Sequence, residues 1–374
     1  MPNLSPLHTE SSTKIFFLCN EAGRGENHPP NPKTPGTPMH APSRRGLLSL
    51  AAALATPLAS PRPAAARPAM AQGGEPAWPD RSLRIIVPVA PGGSLDILGR
   101  SVARALTGPL GQPVVVENHT GAGSNIAFEL TARAKPDGLT ILVGSDPLTI
   151  NPSLYAKIGF DPVRDFAPIA ELVRAPQVLV VKNGLEAGDL ASYRRLAQEM
   201  AGGTTLASQG NGSIGHLGGI MLGQALGFTT THVPYRGGGP AVVDLVAGHI
   251  DSLLVTLPAA IEHIREGRIR ALAVTGLSRS PALPAVPTVA ESGFPGFEVV
   301  TWQGLLAPAG TPEPILERLH AETRTAMARP EVGDNLRAQG FELAAGSRAD
   351  FAALVRAEAA RWPAIVRASG ARVD

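Results

Sequence analysis

From residue 83 onward, short apolar runs alternate with longer stretches in which apolar residues recur at helical spacing. "LRIIVPVA" (83–90) is almost continuously apolar and rich in Ile and Val, the pattern of a strand buried on both faces. After the turn "PGG", Leu95, Leu98, Val102 and Leu106 fall on one face of a predicted helix that Gly108 and Pro109 stop. "QPVVVEN" predicts a second strand, "SNIAFELTARAKPDG" a second helix and "TILVGS" a third strand. "DFAPIAELVRAPQVLVVKNG" (165–184) runs apolar and extended, and predicts a crossover into a second half. That half repeats the plan through "GTTLASQGNG", "SIGHLGGIMLGQALG", "TTTHVPYRGGG", "PAVVDLVAGHID", "SLLVTLP" and "IRALAVTG". "EVVTWQGLLAPAG" then predicts an extended return, followed by helices in "PEPILERLHAETRTAMA" and "RADFAALVRAEAARWPAIVRASG". Strand and helix in alternation predict an α/β protein with mostly parallel, doubly wound sheets. Two strand crossings between the halves predict a hinge.

Three Gly-rich loops each follow a predicted strand and open a predicted helix: Pro91-Gly92-Gly93-Ser94, Gly121-Ala122-Gly123-Ser124 and Gly210-Asn211-Gly212-Ser213. The first N–H groups of a helix lack intrahelical partners, and the peptide dipoles there favour negative charge. Glycine lets an anion approach that backbone, and in an open α/β sheet ligands bind beyond the carboxyl ends of the strands. Anion capture is one reading of the loops. The other makes Ser94, Ser124 and Ser213 simple N-caps, worth ~1 kcal/mol each, with glycines that only tighten the turn. Asp96, in the first turn of its helix, either partners the dipole or reaches back into a cleft. His216, three residues after Ser213, is either a polar ligand contact or a hydrogen-bonded structural histidine.

Other chemistries find less support. Gly210, Gly212 and Gly215 fit G-x-G-x-x-G, but "TTTHVPY" stands where a dinucleotide site needs an acidic residue. Asn211 stands where a nucleophile elbow needs glycine. No phosphate-loop motif is present, and His119, His232, His249, His263 and His320 lack metal-ligand spacing, so neither a metal nor a cofactor is expected.

The 374 residues are 44% hydrophobic and 17% charged, with a net charge of +2, which suits a globular chain of two domains. Lys and Arg are scattered without runs, which argues against nucleic-acid binding. Residues 1–71 read as a leader. In residues 39–71 the pair Arg44 and Arg45 precedes an apolar stretch from Leu47 to Leu58, and Ala69-Met70-Ala71 closes an export signal. "SRRGLL" is similar to a twin-arginine signal, and Met39 suits the true start of translation. Cys19, the only cysteine, falls in the leader. A mature chain from about Gln72 therefore has no thiol for catalysis, zinc or disulfides.

"WPDRSLRIIVPVAPGGSLDILGR", "GQPVVVENHTGAGSNIA", "KPDGLTILVGS", "NPSLY", "FDPVRDFAPIAELV", "ASQGNGSIGHLGG", "HVPYRGGGPAVVDLVAGHID", "IRALAVTGLSRSPALPAVPTVAESGFPGFE" and "TWQGLLAPAGTP" closely resemble the Bug or TctC family. Its members are the extracytoplasmic solute receptors of tripartite tricarboxylate transporters, and the resemblance runs from Trp78 to the C-terminus. It implies a two-domain periplasmic binding protein of type II fold, each domain a mostly parallel sheet flanked by helices and joined to the other by two crossover strands. The boundaries are 78–178 plus 301–374 for domain 1 and 179–300 for domain 2.

The resemblance also implies a non-catalytic, monomeric periplasmic receptor that binds a small carboxylate and passes it to membrane transporter subunits. The first family loop matches Ala90, Gly92, Gly93, Ser94 and Asp96, where backbone amides and bridging water hold one carboxylate. The second matches Ser208, Gly210, Gly212, Ser213 and His216, and Ser145 and Tyr235 match cleft-lining positions. At Val255 and Thr256 the chain departs from the Asp-Asn that relatives often carry. Micromolar affinity needs about −8 kcal/mol. About four or five hydrogen bonds to a charged group, at ~1.5 to 3 kcal/mol each, reach it after ordering costs without an Arg or Lys in the pocket. The alternatives are a small-molecule hydrolase using Ser213, His216 and Asp96, and a receptor that presents its ligand to a sensor.

Overall fold

The computed structural model describes residues 78–371 and 373, apart from 201 and 202. The leader, its export and twin-arginine signals, Met39 and Cys19 lie outside the described residues. In chain order the elements are β1 (Leu83–Val87), α1 (Ser94–Leu110), β2 (Val114–Asn118), α2 (Asn125–Ala132), β3 (Thr140–Ser145), α3 (Pro147–Leu154) and β4 (Phe166–Lys182). Next come α4 (Leu190–Glu199), β5 (Thr204–Ser208), α5 (Ile214–Leu226), β6 (Thr230–Pro234), α6 (Gly238–Ala247), β7 (Ser252–Thr256), α7 (Ile261–Arg265) and β8 (Ile269–Val274). The chain ends with β9 (Val300–Pro308), α8 (Glu313–Ala328), α9 (Pro330–Ala338), β10 (Glu342–Leu343) and α10 (Arg348–Ser369).

Among the described residues the strands form one curled sheet in the order β2-β1-β3-β9-β4-β7-β5-β6, with β8 and β10 also paired to β4. The outer strands are parallel: β1 with β2 and β3, β5 with β6 and β7. The middle is antiparallel. The first part of β4, Phe166 to Pro176, pairs with β9, and the second, Gln177 to Lys182, pairs with β7 and β8. This one strand therefore carries the chain from one half of the sheet to the other.

The continuous apolar runs arise because both faces of the sheet are covered. Leu83, Ile85 and Val87 pack with Leu98, Val102 and Leu106 of α1, whereas Ile86 joins Phe128 and Leu142 on the opposite face. Leu253 and Val255 of β7 likewise point one way and Leu254 the other. Helix α1 overruns its predicted stop, because Leu110 is buried and Gly111, at φ 67, supplies the left-handed cap. Helices α3, α4, α7 and α9 are additions that the apolar pattern does not predict. No helix among the described residues is long and apolar enough to cross a membrane.

Candidate functional site

A cavity of about 440 Å³ opens beyond the ends of β1, β3, β5, β6 and β7. All three Gly-rich loops reach it, through Gly93 and Ser94, through residues 121–124, and through Gly210, Asn211 and Ser213. The volume lies in the range of small-molecule sites, ~300 to 1,000 Å³.

At the first loop Gly93 caps α1 from an extended backbone, with no side-chain cap. The N–H groups of Ser94 and Leu95 then have no intrahelical acceptor. The Ser94 hydroxyl accepts from Gln303 Nε2 at 2.9 Å, so its own proton is available to the cavity. Ala90 and Gly92 stand back from it, because the Ala90 N–H donates to Arg236 O (2.9 Å) and the Gly92 N–H to Asp96 Oδ2 (3.0 Å). Asp96 does not line the cavity either. Its carboxylate also accepts from Arg100 and, at 2.9 Å, from Asn118 Nδ2. Burial pushes that carboxyl up, but the donors from Arg100, Asn118 and Gly92 outweigh it and hold it below its ordinary value. Asp96 thus ties its loop to α1 and β2, and the reading in which it reaches into the cleft is set aside.

The second loop is a left-handed turn. Gly121, Ala122, Gly123 and Ser124 all have positive φ, at 126°, 47°, 60° and 82°. Ser124 does not cap α2 with its side chain; its hydroxyl donates to Pro88 O at 3.2 Å. Fully buried Asn151 of α3 clamps the turn, donating from Nδ2 to Gly123 O (2.8 Å) and Asn125 Oδ1 (2.7 Å).

At the third loop the capping reading holds. Ser213 Oγ accepts from the His216 N–H (3.1 Å) and donates to Gly210 O (2.6 Å). Gly212 and His216 lie outside the cavity lining, since the Gly212 N–H donates to His216 Nδ1 at 3.3 Å. The His216 ring stacks on that of His232, with centroids 4.1 Å apart. Burial and the neighbouring His232 lower the His216 pKa to about 4, so the ring is neutral. Ser208 is also buried behind the lining, its hydroxyl 2.8 Å from His232 Nε2.

Ser145, Tyr235 and Thr256 line the cavity. The Tyr235 hydroxyl, however, donates to Asp244 at 2.6 Å, and burial followed by that bond pushes its pKa up to about 12. The hydroxyl is thereby committed to Asp244. Thr256 Oγ1 accepts from Gln209 Nε2 at 2.9 Å, and Gln177 lies within 3.4 Å of Gln209. Among the described residues three buried glutamine amide atoms have no partner: Gln177 Nε2, Gln209 Oε1 and Gln303 Oε1. Lone glutamines carry no motif, so sequence reasoning missed them.

It also missed Asp146, Tyr155 and Arg236. Asp146 is a buried carboxyl in the cavity wall, bonded by the Thr301 hydroxyl, and desolvation raises its pKa to about 7. Arg236 is exposed and lines the cavity, so a cation does stand at the site. Only the "RGGG" turn hinted at it.

The chain matches the model of the tripartite tricarboxylate transporter family receptor over residues 98–371. A protein of the tcbD-tcbE intergenic region of a Pseudomonas species is 40% identical over 78% of this chain and 87% of its own length. Protein BugT of Bordetella pertussis is 36% identical over 79% of this chain and 91% of its own. Among solved structures, a Rhodopseudomonas palustris protein with adipate superposes with a TM-score of 0.76 at 33% identity, over 79% of this chain and all of the other. MatC of the same organism, with bound malate, gives 0.74 at 33% identity over 77% of this chain and all of the other. The chain therefore belongs to the TctC/Bug family of periplasmic solute-binding proteins.

Proposed function

We propose that the protein captures a small carboxylate anion in the cavity and passes it unchanged to the membrane subunits of a tripartite tricarboxylate-type transporter. The observation that carries this reading is the convergence of donors without an assembled nucleophile. The first turns of α1, α5 and α6, the Ser94 hydroxyl, Ser145 and Arg236 surround the cavity. Ser213, by contrast, has committed its hydroxyl proton to Gly210 O, His216 turns its Nδ1 to Gly212, and Asp96 is bonded to Arg100. A hydrolase would need these three in mutual contact.

Residues 78–178 with 301–374 act as one lobe and residues 179–300 as the other, closing on the ligand so that the membrane partner distinguishes loaded from empty receptor. The signal at 39–71 exports the chain and is cleaved near Ala71, and the receptor works as a monomer. The relatives solved with adipate and malate suggest dicarboxylates as first candidates.

Calorimetric titration with malate, adipate and their neutral diamides tests the reading. The acids bind with Kd in the micromolar range or tighter, the diamides at least tenfold more weakly, and the ligand is recovered unaltered by NMR. Absence of binding by any acid of the panel, or turnover of a bound one, overturns it.

A further inference from the structure

Among the polar groups of the cavity wall that the capture of an anion does not explain is a carboxyl. Asp146 follows β3 directly and is 1% exposed, yet it borders the cavity. The Thr301 hydroxyl of β9 donates to its Oδ2. No Lys or Arg pairs with this carboxyl among the described residues. The charged groups that act on it come from α10, where Glu358 is bonded to Arg361 (2.9 Å) and to the Trp362 indole N–H (2.8 Å). These two charges oppose each other at Asp146. The other neighbours do not supply a counter-charge: Ser145 of β3 and Thr301 and Gln303 of β9 do not titrate. Tyr155, after α3, is kept neutral by burial, which raises its pKa. Arg236, the cation of the cavity lining, is exposed, and His216 and His232 lie outside the lining.

A buried carboxyl without a counter-charge favours its neutral form, and burial brings this one to about 7. In that form it offers a proton, adding to the donors already free at the cavity, the Ser94 hydroxyl and the first N–H groups of α1. A charged Asp146 beside a charged ligand would leave two like charges in one enclosed space.

We propose that Asp146 meets the ligand as a carboxylic acid and donates a hydrogen bond to one of its carboxylate oxygens, so that anion binding takes up a proton. This rests on the carboxylate reading above. Where Asp146 is ionised in the empty receptor, the proton comes from solvent and stays on the Asp146 carboxyl, shared with the ligand through the bond. The bound anion raises the affinity of Asp146 for that proton further. Above neutrality the ligand dissociation constant then climbs toward tenfold per pH unit.

The full chain is titrated calorimetrically with adipate and with malate from pH 6.5 to 8.5, where both ligands keep their carboxyls ionised. Repeating the titration in buffers of different ionisation enthalpy counts the protons. Kd is expected to rise about tenfold between pH 7 and 8.5, with proton uptake approaching one at the alkaline end. Asp146→Asn, which keeps a donor of the same shape, is expected to bind both acids with Kd constant within about twofold. A flat wild-type Kd without proton uptake, an unchanged pH dependence in Asp146→Asn, or tighter binding as pH rises each overturns the proposal; the last would mark an ionised Asp146 holding a cationic group. If the variant does not fold, the wild-type proton count still decides. Failure of either acid to bind at any pH overturns the carboxylate reading and this inference together, whereas pH-independent binding overturns the inference alone.

Discussion

The Ser213 hydroxyl closes the third Gly-rich loop onto α5, accepting from one backbone N–H and donating to one carbonyl. Behind it, the stacked imidazoles of His216 and His232 have no charge to share, since His216 is buried, His232 is half-buried, and that burial lowers both pKa values. The sign of the pH effect follows. An unfolded histidine takes up a proton near pH 6.5, whereas His216 resists it down to about 4 in the fold. Its neutral form therefore stabilises the protein fully above pH 6.5, and that contribution is lost as pH falls toward 4. The loss amounts to about 3 kcal/mol for His216 at most. Urea unfolding at pH 7 and 4.5 is expected to show the wild type losing a large part of this margin. His216→Gln, which can still accept from the Gly212 N–H, should lose less than half as much. Equal losses in both proteins would rule out the imidazole pair as the source.

The loop of residues 121–124 and helix α3 act as one element, and neither is evident from apolar periodicity. The strands were legible because burial on two faces forces continuous Ile, Val and Leu, as at residues 83–87 and 252–256. The Gly-rich loops were legible because tight turns at helix starts require those residues. In contrast, "PLTINPSL" has two prolines in eight residues and is buried on nearly every side, so no amphipathic stripe announces a helix. Asp146 and Asn151 were hidden with it, the former looking like an ordinary turn residue before proline. Yet Asn151 holds Ala122 and Ser124 in left-handed conformations that cost non-glycine residues ~1 to 2 kcal/mol each. Removing its amide in Asn151→Ala leaves Gly123 O and Asn125 Oδ1 without their partner. Stability should fall by about 1 to 3 kcal/mol, and adipate or malate should bind several-fold more weakly as the turn relaxes. Chemical denaturation and calorimetry on the same variant check both; unchanged affinity beside lowered stability would remove this turn from the ligand site.

The two halves of the sheet meet on either side of the cavity through glycine. Ala90 N–H bonds to Arg236 O, and β-carbons built at Gly237 and Gly239 would press on Ala90 and Pro91 of the first loop. On the other side, a β-carbon at Gly123 would lie 2.8 Å from Asn211 O, and one at Gly212 would overlap Asn151 Oδ1. On the closure proposed above, these contacts limit how closely the cavity can shut, so the glycines set closure as much as they set turns. Gly239 separates the two roles. Unlike Gly237, it has no positive φ, so alanine fits its backbone, and in α6 alanine gains up to ~1 kcal/mol of helix propensity. Its added methyl would nevertheless strike the Pro91 carbonyl, a backbone atom that cannot rotate away. Gly239→Ala should therefore keep its unfolding midpoint in the absence of ligand while holding the halves apart. If the proposed closure engages ligand groups on both sides together, affinity for adipate or malate falls tenfold or more, at least about 1.4 kcal/mol. The same gap should appear as a smaller decrease in radius of gyration on ligand addition, measured by small-angle scattering. Wild-type affinity in this variant would mean that binding does not require the two loops to meet, and would overturn closure as the signal proposed for a membrane partner.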